Sequence, residues 1–209
     1  MRDEELELFI EEMGEPTSIK KVSYEELEAY RGVLPNKLLE YWQEVGWSSF
    51  ANGLVWLVNP ALYDDLLEQW IVDTAFEKID RYHVFARTAY GTLYVIGEKT
   101  GRSFTIHCPS HFIVAQKNSI KRVQKDPDLT IQSFFAMADK NEFDIEDIND
   151  SSLFDQALIK LGPLKENEVY GFEPSLALGG GPRVECVAKL DLNIHLQILR
   201  QLSAPILPF

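Results

Sequence analysis

The sequence predicts an α+β fold in which an antiparallel β-meander is flanked by N-terminal and C-terminal helices. Two observations lead to this class. Apolar residues recur at helical spacing towards both ends of the chain, and the middle consists of short β-rich runs broken by glycine and proline. Helices and strands therefore occur in blocks and do not alternate, which is typical of α+β proteins rather than of βαβ units. The chain has 209 residues, of which 45% are hydrophobic, so a substantial core is expected.

Three helices are predicted before the first strand. The first covers residues 3–13, and the second opens with a capping box at Ser23 and ends at about Tyr30. The third begins at Pro35 and ends at Gly46. The apolar stripes of the first and third helices are Leu6, Phe9, Ile10 and Met13, and Leu38, Leu39, Trp42 and Val45.

The middle of the chain is predicted to be mostly strands. Residues 53–58 form an apolar run that predicts a buried strand, and Pro60 opens a fourth helix with apolar residues at helical spacing up to Ile71. Residues 82–116 predict an antiparallel meander of about four strands. The residues that break this stretch into strands are Gly91, Gly97, Gly101 and Pro109.

The C-terminal part returns to helices and short strands. A helix is predicted near residues 131–138, and Ser152 caps another that runs to Leu161. Two strands are predicted at residues 168–172 and 184–188. Asp191 then caps a last helix whose apolar stripe is Leu192, Leu196 and Leu199.

The net charge of −13 indicates what the chain can bind. An acidic protein repels nucleic acid, because affinity for nucleic acid comes from neutralising phosphates, and it favours basic partners. Acidic residues cluster at positions 3–15 and 139–155, which are the first candidates for partner contacts, although solvated surfaces have the same composition. The candidate contact residues are Glu11, Glu12, Trp47, Asp144, Glu146, Asp147 and Asp150.

The four tryptophans all fall between positions 42 and 70. Trp42, Trp56 and Trp70 lie on predicted apolar faces and are expected in the core. Trp47 follows a helix-ending glycine, so we expect it to be partly exposed. An exposed tryptophan is a common anchor in protein interfaces, and a pocket wall is equally compatible with this position.

The run of three glycines at positions 179–181 raises the question of a phosphate-binding loop. A P-loop needs a preceding strand, a Lys-Ser/Thr pair and a following helix, but here Pro182, Arg183 and a strand-like run follow the glycines. The spaced glycines of a dinucleotide-binding fingerprint are also missing. We therefore predict that the glycines allow a tight backbone reversal between the strand at 168–172 and the strand at 184–188, with no nucleotide bound there.

His107, Cys108 and His111 form the densest cluster of possible metal ligands or catalytic groups. A zinc site needs further ligands, and alternation along a strand sends neighbouring side chains to opposite faces. We expect the end of a hairpin with a half-buried thiol, and a hydrolase that uses these three residues stays open as an alternative. The acidic residues 144–150 lack the glycine and the closing glutamate of an EF-hand loop. No catalytic residue, metal or cofactor is predicted.

The sequence contains no run of about 18 apolar residues and no basic, then apolar N-terminal segment, so neither a membrane span nor a secretory signal is expected. Its two cysteines, Cys108 and Cys186, do not indicate a disulfide framework. These features favour the cytoplasm.

Several stretches resemble known families. Residues 34–70, LPNKLLEYWQEVGWSSFANGLVWLVNPALYDDLLEQW, resemble the GAD-like domain, and residues 83–101 look like its continuation. The matching features are a Leu-Pro start, a Tyr-Trp pair, a glycine after the helix and the run Gly-Leu-x-Trp-Leu-Val-x-Pro. Residues 153–181 and 195–202 resemble the C-terminal domain usually found beside it. We accordingly divide the chain into a GAD-like domain at 1–115 and an immunity C-terminal domain at 116–209, which could share one sheet or core.

This pair of domains is typical of immunity proteins of bacterial type VI secretion systems, notably those that neutralise DNase effectors. The resemblance implies a cytoplasmic, non-enzymatic inhibitor that binds a cognate toxin, with no cofactor and no direct contact with nucleic acid or membrane. A nuclease grips phosphates with a basic surface, which suits an acidic partner. A protein-binding or regulatory module on the same scaffold remains an alternative.

Overall fold

The computed structural model describes residues 2–116 and 123–208. Within these residues it contains eight α-helices and nine β-strands. The helices are α1 (Glu4–Met13), α2 (Tyr24–Tyr30), α3 (Asn36–Val45), α4 (Asp64–Ile71), α5 (Pro127–Ala136), α6 (Lys140–Phe143), α7 (Leu153–Leu161) and α8 (Leu192–Leu202). The strands are β1 (Thr17–Lys20), β2 (Trp47–Phe50), β3 (Val55–Leu57), β4 (Tyr82–Thr88), β5 (Thr92–Gly97), β6 (Gly101–His107), β7 (Phe112–Ala115), β8 (Glu168–Phe172) and β9 (Val187–Asp191).

Strands β1 to β7 form one antiparallel sheet in chain order, so each strand pairs with the next along the sequence. Strands β8 and β9 pair separately as a two-stranded antiparallel sheet. This confirms the predicted α+β class, with helices before and after the strands, and the predicted meander corresponds to β4–β7. Every residue of β4 and β5 is buried, so both faces of these central strands are covered.

The local signals for helix ends are realised in the structure. Ser23 and Glu26 form the reciprocal capping box of α2, with Glu26 N donating to Ser23 Oγ and Ser23 N donating to the Glu26 carboxylate. The side chains of Ser152 and Asp191 accept hydrogen bonds from the first turns of α7 and α8. Gly46 ends α3 with a φ of +72°, and a Cβ there would lie 2.5 Å from a backbone oxygen of β1.

Helices α1, α3 and α5 pack together through aromatic side chains. The ring of Phe135 lies 4.8 Å from that of Phe9 and 4.6 Å from that of Tyr41. Phe9 also makes an edge-to-face contact with Phe50 of β2, and Phe134 makes one with Phe85 of β4. These contacts fix α1 and α5 on the sheet, although the two helices are more than 100 residues apart in the chain.

Helix α8 is held against α4 by hydrogen bonds as well as apolar contacts. Trp70 Nε1 donates to the backbone oxygen of Leu196 at 3.2 Å, and Arg200 Nε donates to the backbone oxygen of Gln69 at 2.9 Å. Strand β8 is joined to the turn between β4 and β5 by a hydrogen bond from Tyr170 N to Ala89 O. The buried apolar residues of both predicted domains belong to one continuous core.

Arg87 is a fully buried cation within this core. Its Nε donates to Tyr63 Oη at 3.0 Å, its Nη2 donates to the backbone oxygen of Glu166 at 2.9 Å, and the guanidinium lies 4.6 Å from the Trp56 ring. Burial lowers the pKa of Arg87. Because the bond to Glu166 joins β4 to the segment before β8, this side chain also ties the two predicted domains together.

Several boundaries differ from the sequence-based expectations. Strands β1 and β2 and the short helix α6 were not predicted. The predicted strand at 53–58 is shortened to β3, because residues 51–53 form a turn in which all three residues have positive φ. The predicted strand at 184–188 begins three residues later, since residues 184–186 form a 3₁₀ turn before β9.

The glycine run lies in a long connection and not in the tight reversal that we expected. The chain between β8 and β9 spans residues 173–186 and contains two 3₁₀ turns. Gly179 ends the first turn with a φ of +88°. A Cβ on Gly180 would lie 2.0 Å from the backbone oxygen of Pro174, whereas Gly181 has no neighbour closer than 3.7 Å. Glycine is therefore required at position 179 by the positive φ and at position 180 by the close backbone contact.

Candidate functional site

The two acidic stretches singled out in the sequence meet in one groove. Its walls are the C-terminal end of α1, the turn at residues 51–54 and the segment from α6 to α7, and its volume is about 640 Å³. We call it the acidic groove. Among its described lining residues, five are acidic and one, Lys140, is basic. The acidic lining residues are Glu11, Glu12, Glu15, Asp144 and Asp155.

Helix α1 places Glu11 and Glu12 at this groove through its amphipathic pattern. Leu6, Phe9 and Met13 are buried, so the intervening acidic residues face away from the core. Glu11 is exposed, and Glu12 is half-buried and accepts a long hydrogen bond of 3.4 Å from the backbone N–H of Lys140. This bond crosses 128 positions of the chain and joins the two walls of the groove.

Asp144 also lines the groove, but its carboxylate is largely used inside the protein. It accepts hydrogen bonds from Ile145 N at 2.6 Å, from Ser152 Oγ at 2.6 Å and from Phe154 N at 3.0 Å. Partial burial raises the pKa of this carboxyl above its usual value, and the hydrogen bonds oppose that shift. Asp144 therefore shapes the loop before α7, and only part of its side chain faces the groove.

The other predicted acidic residues lie outside the lining of the groove. Asp147 accepts hydrogen bonds from Asn149 N at 2.7 Å, Ser151 N at 3.0 Å and Gln156 Nε2 at 2.9 Å, and the bond from Gln156 is the main cause of its lowered pKa. Glu146 and Asp150 are exposed on the same loop. Three of the predicted contact residues, Glu11, Glu12 and Asp144, thus line the acidic groove together. The other three predicted acids, Glu146, Asp147 and Asp150, lie outside its lining.

Trp47 is buried, and our expectation of partial exposure is wrong. It starts β2 directly after Gly46, is 3% exposed, and packs edge-to-face against Trp42 with ring centres 5.9 Å apart. The ammonium group of Lys20 lies 5.7 Å from its ring. Little of its surface is available to a partner. Trp42, Trp56 and Trp70 are buried as predicted.

In the cluster at His107, Cys108 and His111, the last two residues are buried and His107 is half-buried. Cys108 is fully buried rather than half-buried, and burial raises the pKa of its thiol, which disfavours the thiolate that a nucleophile needs. The Nε2 atom of His111 is hydrogen-bonded to the backbone oxygen of Leu199, and His107 stacks on Phe112. Across residues 2–116 and 123–208, no group of three or more His, Cys, Asp or Glu side chains is placed to hold a metal ion.

Sequence reasoning missed a second surface feature, which we call the apolar groove. It has a volume of about 390 Å³ and lies between α8, β9 and the start of the 173–186 connection. Four large apolar side chains line it and remain substantially exposed. They are Leu178 (64%), Ile194 (62%), Ile198 (49%) and Leu202 (41%). Ile194, Ile198 and Leu202 are spaced at i, i+4 and i+8, so the sequence already contained a second apolar stripe on the last helix.

In the described residues, no helix has the length and apolar character needed to cross a lipid bilayer. The chain is similar to the crystal structure of Atu4351 from Agrobacterium tumefaciens, with 18% sequence identity and a TM-score of 0.82, over 96% of this chain and 90% of that one. At this identity the likeness shows a common fold. No curated protein sequence matches the chain.

Two family models match the chain, and both agree with the resemblance in its sequence. Residues 4–110 match the GAD-like domain, and residues 128–203 match the C-terminal domain of the type VI secretion system immunity protein Tdi1. The second match supports an immunity role. The acidic groove has walls from both matched segments. The chain belongs to the GAD-like domain family and carries, after that domain, a C-terminal domain of the Tdi1 immunity type.

Proposed function

We propose that this chain is an immunity protein that binds a cognate type VI secretion nuclease in the cytoplasm and blocks its action on DNA. The observation that carries the proposal is the match of residues 128–203 to a type VI immunity domain, next to a GAD-like domain. The chain would act by binding alone, as a non-enzymatic inhibitor without a cofactor.

The charge distribution supports a basic partner. A DNase needs lysines and arginines at its phosphate-binding surface, and those same groups attract a surface of opposite charge. The acidic groove carries five carboxylates against one lysine, on a chain whose net charge is −13. The carboxylate of Glu15 is already paired with Arg2 through two hydrogen bonds of 2.9 Å. We therefore infer that Glu11, Glu12 and Asp155 contact basic residues of the toxin. Glu146 and Asp150 stand close enough in the chain to extend this contact.

Binding at this groove would couple the two predicted domains, 1–115 and 116–209. One wall is the end of α1, and the opposite wall is the segment from α6 to α7. A toxin that occupies the groove would therefore contact both domains at once. The shared core suggests that this surface is largely preformed, which limits the conformational entropy lost on binding.

Co-expression tests the proposal. The gene for a candidate nuclease effector is induced in cells with and without the chain, and the chain is then isolated by an affinity tag. We expect survival only with the chain present, together with recovery of the toxin as a stable complex. A Cys108→Ala variant should protect equally well, because an inhibitor needs no thiol. Cell death despite expression of the chain, with no complex recovered, would refute the proposal for that toxin.

Loss of protection in Cys108→Ala, with normal folding and normal complex formation, would instead favour the hydrolase alternative. Protection of the cells without any recovered complex would also favour the hydrolase alternative. A chain that binds a different protein and leaves the toxin untouched would favour a regulatory module on this scaffold.

A further inference from the structure

Helix α8 carries two apolar stripes, and only one of them is used by the fold. Leu192, Leu196 and Leu199 are buried against the core. Ile194 and Ile198 lie on another side of the helix and are 62% and 49% exposed. The buried stripe already fixes α8 to the protein, so folding leaves the second stripe unexplained. Contiguous exposed apolar side chains of this kind mark interaction surfaces.

The apolar groove is rigidly presented. Hydrogen bonds from Trp70 and Arg200 hold α8 against α4, as described above. On the other side, β8 approaches α8 so closely that a Cβ on Gly171 would lie 2.5 Å from the His195 ring. A groove fixed in this way loses little entropy when it is filled, which favours affinity for a complementary segment.

The charges around the groove indicate what would fill it. Its described lining contains two exposed acidic residues, Glu173 and Asp191, and no lysine or arginine. An occupant with apolar side chains and at least one neighbouring basic residue would match both features. A second copy of this acidic chain would add like charges around the same contact, which disfavours self-association.

We propose that the apolar groove is an anchor site for the cognate effector, occupied by an apolar segment of the effector that carries a basic residue next to its apolar side chains. This inference rests on the proposed immunity function and adds a second contact to it, distinct from the acidic groove. The apolar side chains supply the free energy of binding, and the acidic groove supplies long-range attraction. Hot spots of this kind are buried apolar anchors surrounded by polar contacts.

The test uses the full chain and the purified cognate effector, with affinities measured by isothermal titration calorimetry at physiological salt. Ile194→Asp and Ile198→Asp place a charge in the groove, and Leu178→Asp does the same from a loop instead of a helix. Ile159→Asp is the matched control, because Ile159 is 87% exposed on α7 and does not line the groove. Thermal unfolding of each variant confirms that it is folded.

We expect each groove variant to raise the Kd at least about 30-fold, as for a hot-spot residue, and Ile159→Asp to change it less than about threefold. For Glu173→Lys the titration is also done at low salt, where the Kd should rise about tenfold, since the new lysine repels the basic residue of the effector.

If the wild-type chain binds the effector and folded groove variants bind it equally well, the anchor site is refuted and the immunity function stands. If the wild-type chain does not bind the effector, both proposals fail for that effector. An unchanged Kd for Glu173→Lys would refute the basic character of the occupant. A wild-type dimer that Ile198→Asp converts to a monomer, measured by sedimentation velocity, would assign the groove to a second copy and overturn the proposal.

Discussion

Neutralising the charge of the acidic groove should slow toxin binding more than the same change in charge elsewhere on the surface. The lining residues that the structure describes include five carboxylates and one lysine, a formal charge of −4. The double substitution Glu11→Lys and Glu12→Lys brings this to zero. A unit charge about 10 Å from another in water is worth about 0.4 kcal/mol, so four units amount to about 1 to 2 kcal/mol with an effector cation. We therefore expect the association rate constant to fall roughly tenfold at low salt.

The assay is stopped-flow measurement of the association rate with purified effector at low and high salt. At about 1 M salt the Debye length is roughly 3 Å, so the difference between variant and wild type should disappear. The matched control is the double substitution Glu25→Lys and Glu185→Lys. It makes the same change in net charge at two exposed positions outside the acidic groove.

An equal loss of rate in the two double variants would show that overall charge, and not the groove, attracts the effector. An unchanged rate in the Glu11 and Glu12 variant at low salt would remove the acidic groove from the binding surface. Folding is expected to survive, because the contact of Glu12 with the Lys140 backbone is a single long hydrogen bond of 3.4 Å.

Three further predictions concern the fold. Gly180→Ala should destabilise the protein by roughly 2 kcal/mol in urea unfolding, because its Cβ would lie 2.0 Å from a backbone oxygen. Gly181→Ala should be nearly neutral, and equal stabilities of the two variants would contradict the described backbone. Ellman's reagent should modify Cys186, which is partly exposed, quickly in the native protein, and Cys108 only after unfolding; two fast thiols would contradict the burial of Cys108. Burial raises the pKa of Asp144 in the folded protein, so the protonated carboxyl stabilises the fold fully below its unfolded pKa, and this stabilisation is lost as the pH rises through the higher folded pKa. In urea unfolding, the stability of the wild type relative to Asp144→Asn should therefore fall from about pH 4 upward. Parallel pH profiles of the two proteins would refute this.

Local signals in the sequence were sufficient for most helices and for the central meander. A capping box such as that of Ser23 acts within four residues, and the amphipathic stripe of α1 is complete within ten, so both can be read without knowing the fold. The meander is similar, because each strand pairs with its neighbour in the chain. These elements depend on short-range information.

The missed strands depend on partners that the local sequence does not reveal. All four residues of β1 are exposed, so it has no alternating apolar pattern, and it exists because it pairs with β2. All four residues of β2 are buried, including two serines, so it has no alternation either. The burial of Trp47 follows from this pairing, and proximity to a helix-ending glycine was a poor guide to its exposure.

The sequence predicted the residues of the acidic groove in part, but not that they form a groove. The composition identified the stretches that contain Glu11 and Asp144, but their meeting depends on α1 packing against α5 and on the position of α6 and α7, which are distant in sequence. The apolar groove was predictable in part, since Ile194, Ile198 and Leu202 are spaced at i, i+4 and i+8. A single sequence does not reveal which of two stripes on a helix is buried.

Inhibition of the purified cognate effector tests the central claim most directly. DNA cleavage by a fixed amount of effector is measured while this chain is added in increasing amounts. If the chain is an immunity protein that neutralises the effector by binding, cleavage should fall linearly and be abolished at about a one-to-one molar ratio. Cleavage that continues unchanged in the presence of a large molar excess of folded chain would contradict the claim.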